Sequence, residues 1–277
     1  MIDEKLFRRK HQLWLRITFM SFSVNDPWVK NRLYEFSKIE FRHLKWLAKS
    51  LFENNIAYDY ERDPKFTIEN ESFFALVNTA ITEIKALHLL YTETPLFERM
   101  KHDEDYMLIT LHHYLEKLTL DEPLTAFNRE RHWPDALLNE NETNALTLFL
   151  FEELYKEYEL IMIYFYRQVR ATTAAQVSNF QDLIDESHFH LRSFGEMMAK
   201  MGILALPRPL HERTYHISDM EKFLRDGIIE EENAKEECRK LSSSIQDEKL
   251  SSFFEFINFQ ESYHIEIMKK LLGENHG

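Results

Sequence analysis

Apolar residues recur along this chain at three- and four-residue spacings, in long stretches with few breaks. Leu33, Phe36, Ile39, Leu44, Leu47 and Leu51 fall on one face of a 3.6-residue turn, which predicts a helix over 28–54. Asp26 and Pro27 suit its start, the first as cap and the second as first helical residue. The same periodicity predicts helices over 3–22, 71–94, 103–118, 142–170, 172–200 and 248–272. A further helix opens at Ser218-Asp-Met-Glu221, a capping-box sequence, and runs to a turn at 243–247, with a break expected at Asp226-Gly227. Residues 55–69 read as loop and 203–215 as a proline-containing crossover. The stretch 121–141, with two prolines and three asparagines, reads as the connection between two halves. Eight helices in two sets of four predict an all-α chain of two tandem four-helix bundles, 1–125 and 142–277.

Several acidic and histidine residues interrupt these apolar faces. Acidic-x-x-His occurs at Glu40/His43, Asp185/His188 and Glu261/His264. Chance alone supplies about two such pairs in a chain of this composition, so placement carries more weight than number. On a helix, positions i and i+3 bring the carboxylate and the imidazole onto one face. Glu231 precedes Glu261 by 30 residues, and Glu153 precedes Asp185 by 32. Such near-equal offsets let ligands on the two arms of a helical hairpin meet at one height.

The second half therefore offers Glu153, Asp185, His188, Glu231, Glu261 and His264 as ligands of two metal ions. Four carboxylates and two imidazoles suit iron, or alternatively manganese, better than a closed zinc site. Glu157, one turn beyond Glu153, is its rival and is set second on hairpin length. Glu186 and His190 form an i, i+4 pair that could orient a ligand histidine, though a solvent-facing role is the plainer reading.

The first half is less complete. Glu40, His43 and Glu83 are available, with His11 and a histidine at 112 or 113. Ile109 and Thr110 stand where a carboxylate is expected, however, and the first helix offers Lys10, His11 and Gln12 without a matching glutamate. A degenerate bundle is the expectation there. Asp105 and His112 admit a different ligand set together with Asp185 and His188.

Composition narrows the function classes. Five glycines and seven prolines are too few for an all-β chain. With 34 basic against 47 acidic residues the net charge is −13, which argues against nucleic acid and anionic membrane surfaces as partners. The longest apolar run, 160–166, is too short to span a bilayer, and the first twenty residues lack the form of a signal peptide. A lone cysteine, Cys238, fits a reducing compartment, so a cytoplasmic, soluble protein is expected. Phosphate-binding loops, dinucleotide fingerprints and serine elbows are all missing from the sequence.

At Glu231…Glu261-x-x-His264, and at Ile39-Glu40-Phe-Arg-His43-Leu-Lys-Trp-Leu-Ala48, the sequence resembles the ferritin-like superfamily, broadly rubrerythrin and manganese-catalase relatives. The resemblance implies a four-helix bundle with a non-haem di-iron or di-manganese centre that reacts with O₂ or peroxide. It matches Glu153 and Glu231 to the lone glutamates, and Asp185/His188 and Glu261/His264 to the paired motifs. Asp185 departs from the usual glutamate, and no Cys-x-x-Cys segment is present. The expected activity is that of an oxidoreductase, on a small-molecule substrate or on peroxide itself, in a chain able to form a homodimer. A non-catalytic interaction or iron-storage role is the alternative.

Overall fold

Short polar side chains set where the helices begin. Asp3, Asp26 and Ser72 accept the backbone N–H groups of Leu6, Val29 and Ala75 at 2.8, 2.8 and 3.1 Å. Thr173 and Asp219 do the same for Gln176 and Lys222. The computed structural model describes residues 2–61, 72–117, 124 and 132–274, and the fold among them is all-α, without strands. Its helices are α1 (Glu4–Ser23), α2 (Pro27–Glu53), α3 (Phe73–His88), α4 (Pro95–Lys117), α5 (Glu140–Val169), α6 (Ala174–Lys200), the short α7 (Glu212–Tyr215), α8 (Met220–Ser244) and α9 (Glu248–Glu274).

Three elements differ from the sequence reading. The helix expected over 71–94 ends at His88, and α4 starts at Pro95, well before position 103. Proline lacks the N–H that a first turn leaves unused, and Thr94 Oγ1 accepts from Phe97 N at 3.3 Å, so Pro95 opens a helix instead of closing one. Asp219, not Ser218, caps α8, and α8 continues unbroken through Gly227. A Cβ at Gly227 would stand 3.2 Å from Met268 Sδ, so glycine here lets α9 approach closely. Gly202, with φ of 71°, follows the end of α6 in the left-handed conformation.

The chain forms two compact units. One comprises Met1–Arg129 with Gly202–Leu210, the other Glu130–Met201 with His211–Gly277. In the first unit α1 packs on α2 and α3, and α4 on α3 and α2. Leu204, Ala205 and Leu206 line a small cavity there with Phe19, Met20 and Leu76. In the second unit α5 packs on α6 and α8, and α9 on α8 and α6.

Leu150, Leu154, Ile161, Leu183, Phe254 and Ile257 fill the interior of that second unit. Each contributes roughly 1.5–3 kcal/mol by leaving water. At the start of α5, Asn139 and Glu142 form a capping box, and Glu142 Oε1 also accepts from Gln246 N at 2.9 Å. That carboxylate ties the opening of α5 to the turn between α8 and α9. No helix of the described residues is long and apolar enough to cross a membrane.

Candidate metal centre

The interior of the second unit is not wholly apolar. Glu153 and Glu157 on α5, Ser187 and His190 on α6, Glu231 on α8, and Glu261 and His264 on α9 are all buried. His190 Nδ1 lies 2.8 Å from Glu157 Oε1 and 3.6 Å from Glu261 Oε1. His264 Nδ1 lies 2.9 Å from Glu261 Oε2 and 3.5 Å from Glu231 Oε1. The two imidazoles are 5.4 Å apart, centre to centre. His190, Glu261 and His264 each offer a ligand atom within 4.8 Å of the other two.

Many of these atoms face one another without bonding. Glu157 Oε2, Glu261 Oε2 and both nitrogens of His264 are buried without a hydrogen-bond partner. Tyr164 Oη and Ser187 Oγ share that state. A buried carboxylate without compensation costs several kcal/mol.

The protons bound in the cluster reflect the same tension. Burial, and then the charge of Glu231, push Glu261 up to about 8. Burial opposes charge on His190, yet Glu157 and Glu261 push it up to about 9. His264 is raised well above its usual range, because its contacts with Glu231 and Glu261 outweigh burial. For Glu231 burial works upward, but His264 and His190 pull the carboxyl below its usual range.

No protein-family model, curated protein or solved structure matches this chain.

The placement of α6 departs from the expected ligand set. Asp185 is exposed and accepts from Gln181, while His188 turns its Nδ1 to the Ile184 carbonyl at 2.8 Å. Neither belongs to a potential ion-holding group among the described residues. Ser187 and His190 take the interior i, i+3 positions in their stead, so the inward face of α6 is two residues further along than the motif suggests. The inward partner on α5 is accordingly Glu157. Glu153 is buried at the side of the cluster, where Lys156 Nζ holds its Oε1 at 2.6 Å. Burial raises the Glu153 carboxyl, Lys156 counters it, and Glu157 and Glu231 add to the rise.

A sequence signal for this register exists. Glu157 precedes Ser187 by the same 30 residues that separate Glu231 from Glu261, and a histidine follows three residues later in both hairpins.

His190 is also fixed from behind. Its Nε2 lies 3.2 Å from Gln260 Oε1, and Gln260 Nε2 donates to Glu186 Oε2 at 2.6 Å. Since the Gln260 nitrogen is engaged with Glu186, its oxygen accepts from His190 Nε2–H. Nδ1 is then the nitrogen turned to the carboxylates. Phe149, Phe194 and Phe254 pack edge-on beside this end of the cluster, with Phe194 stacked on His190.

The first unit holds a second cluster. Glu40 and His43 on α2 and Glu104 on α4 are fully buried, and each offers a ligand atom within 4.8 Å of the others. His88 Nε2, from the end of α3, lies 2.8 Å from Glu104 Oε2. Glu83 stands apart from it, paired to Arg16 Nε at 2.9 Å, and His11 Nδ1 accepts from Glu61 N at 3.0 Å. His112 turns its Nδ1 to the Leu108 carbonyl, and Asp105 and Ile109 are exposed. The carboxylate expected at 109–110 is instead supplied by Glu104, five residues before Ile109, on the buried face of α4.

Proposed function

We propose that this chain is a ferritin-like protein of two four-helix bundles, with a dinuclear iron or manganese centre in the second unit, acting as an oxidoreductase on O₂ or peroxide. One observation carries the reading. Glu157, His190, Glu231, Glu261 and His264 come from α5, α6, α8 and α9 into one buried space, where several of their oxygens and nitrogens lack partners. A cation relieves that deficit, and mixed oxygen and nitrogen donors without thiolate suit iron or manganese. Bound there, such ions would supply redox chemistry towards O₂ or peroxide.

The chain's own side chains have distinct parts. Glu157, Glu231 and Glu261 would neutralise the ions, and His190 and His264 would bind through the nitrogens that face those carboxylates. Gln260 and Glu186 orient His190. The phenylalanines beside it keep water from that end of the site.

Ser187 favours a second reading. It occupies the position that Glu261 holds in the other hairpin, so the site has one carboxylate fewer than a symmetric pair of hairpins would give. That suits a single ion, held without turnover.

Anaerobic loading with Fe(II) or Mn(II), metal counting, and then exposure to O₂ or peroxide separate the two. Two ions per chain and a rise in near-ultraviolet absorbance are expected, both lost in Glu261→Ala and His264→Ala. One ion and no spectral change would support the second reading. Metal content unaffected by either substitution would remove both.

A further inference from the structure

The α1–α2 hairpin of the first unit has the same spacing as the two hairpins of the second. Lys10 precedes Glu40 by the 30 residues that separate Glu157 from Ser187 and Glu231 from Glu261, and His43 follows three residues on, as His190 and His264 do. Where α5 and α8 each carry a glutamate, α1 carries a lysine. That lysine is fully buried, and its Nζ contacts both Glu40 Oε2 and Glu104 Oε1. Tyr91 Oη lies 3.4 Å from Nζ and donates to Glu104 at 2.7 Å.

The groups around the ammonium are those of a metal shell. His43 turns Nδ1 inward, 3.8 Å from Glu40 and 3.9 Å from Glu104, with no hydrogen-bond partner. Its Nε2 is held from behind by Asp103 Oδ2 at 3.1 Å, which Arg42 also grips at 2.8 Å. An outer carboxylate on one nitrogen and an inward, unpartnered second nitrogen are the usual setting of a ligand histidine. Glu40 Oε1 is likewise buried without a hydrogen bond. One ammonium, with three N–H donors and no acceptor capacity, spans two carboxylates but leaves Glu40 Oε1 and His43 Nδ1 unused.

We infer that Lys10 is a built-in cation standing where a metal ion would sit, and that it closes a latent site for a divalent transition metal formed by Glu40, His43 and Glu104, with His88 lying against Glu104. A lysine ammonium and a divalent ion cannot share so small a space without strong repulsion. The first unit therefore keeps its buried carboxylates neutralised without metal, and removal of the amine opens the site. The inference does not depend on what the second unit binds, because its test is a difference between variants of the full chain.

The test compares wild type, Lys10→Met, His43→Ala and the double variant, each loaded with Mn(II) or Co(II), desalted and assayed for metal per chain. Lys10→Met should hold one ion more than wild type, and adding His43→Ala should remove that extra ion. His43→Ala alone should leave the wild-type count unchanged. Loss of an ion in His43→Ala alone would overturn the inference, since metal would then sit beside Lys10. A folded Lys10→Met chain with no additional ion would overturn it as well. Should Lys10→Met not fold metal-free, recovery on refolding with Mn(II) or Co(II) supports the inference, and failure with and without metal overturns it.

Discussion

Glu231 and Glu261, on α8 and α9, share one imidazole: His264 Nδ1 lies 3.5 Å from the first carboxylate and 2.9 Å from the second. An imidazole can protonate to serve two carboxylates, but its single Nδ1–H cannot point at both. The arrangement is better met by an ion with several coordination positions.

The register of α6 is testable directly. Asp185→Ala and His188→Ala should leave metal content at the wild-type level, because Asp185 is exposed and His188 bonds to its own helix. Glu157→Ala and His190→Ala should lower metal affinity at least tenfold, measured by competition with a chelator.

Stability of the metal-free chain should fall as pH rises. Glu261 is pushed up to about 8 and His190 up to about 9, both above their ordinary values. The folded state therefore binds more protons than the unfolded one between roughly pH 5 and 9, and the stabilisation these protons bring is lost as pH passes through 8 to 9. Thermal melts of metal-free protein should show a declining midpoint over that window, and metal-loaded protein should show a much flatter profile. Metal uptake should release protons, with affinity rising across the same range.

Gln260 acts through His190. Gln260→Leu removes the acceptor for His190 Nε2–H and the donor to Glu186 while keeping the side-chain bulk. Loss of such an outer partner lowers metal affinity about 10–100-fold. Calorimetric titration should show the weakening with little change in the melting of the metal-free chain, and Gln260→Glu should restore part of the affinity.

Glu142 holds two backbone groups at once, Asn139 N at 2.7 Å and Gln246 N at 2.9 Å. Glu142→Ala should cost about 1–3 kcal/mol, the sum of a lost cap and a lost charged hydrogen bond. Urea unfolding reads the loss, and Glu142→Gln should recover only part of it, because its one amide oxygen can accept from one of the two N–H groups while its NH2 faces the other.

Much of the helical plan could be read from the sequence because it is written locally. Asp26-Pro27 starts α2 as its cap and first residue, and Asp3 and Thr173 cap their helices within a residue of where periodicity ends. Glu231, Glu261 and His264 could be singled out because the α8–α9 hairpin carries the full motif.

The inward pair on α6 is less legible in the sequence. Asp185-x-x-His188 matches the motif and faces outward, whereas Ser187-x-x-His190 faces inward and lacks the carboxylate. Only tertiary packing decides which face of an amphipathic helix is the inner one. Glu104 was hidden for a different reason, since reading Pro95 as a terminator displaced the start of α4 and with it the level of every inward residue. Lys10 could be read as a missing glutamate but not as a replacement cation, because its meaning depends on Glu104 from a distant helix.

The first unit is discontinuous in sequence, since Gly202–Leu210 belongs to it although α5 and α6 intervene. Ala205, 2% exposed, lies beside Phe19, Met20 and Leu76 in its interior. During synthesis on the ribosome that unit must then wait, with an apolar face uncovered, until a strap made long after α4 has emerged. Both helices of the next unit's first hairpin are already translated by that time, so the two halves mature as interleaved events and not one after the other.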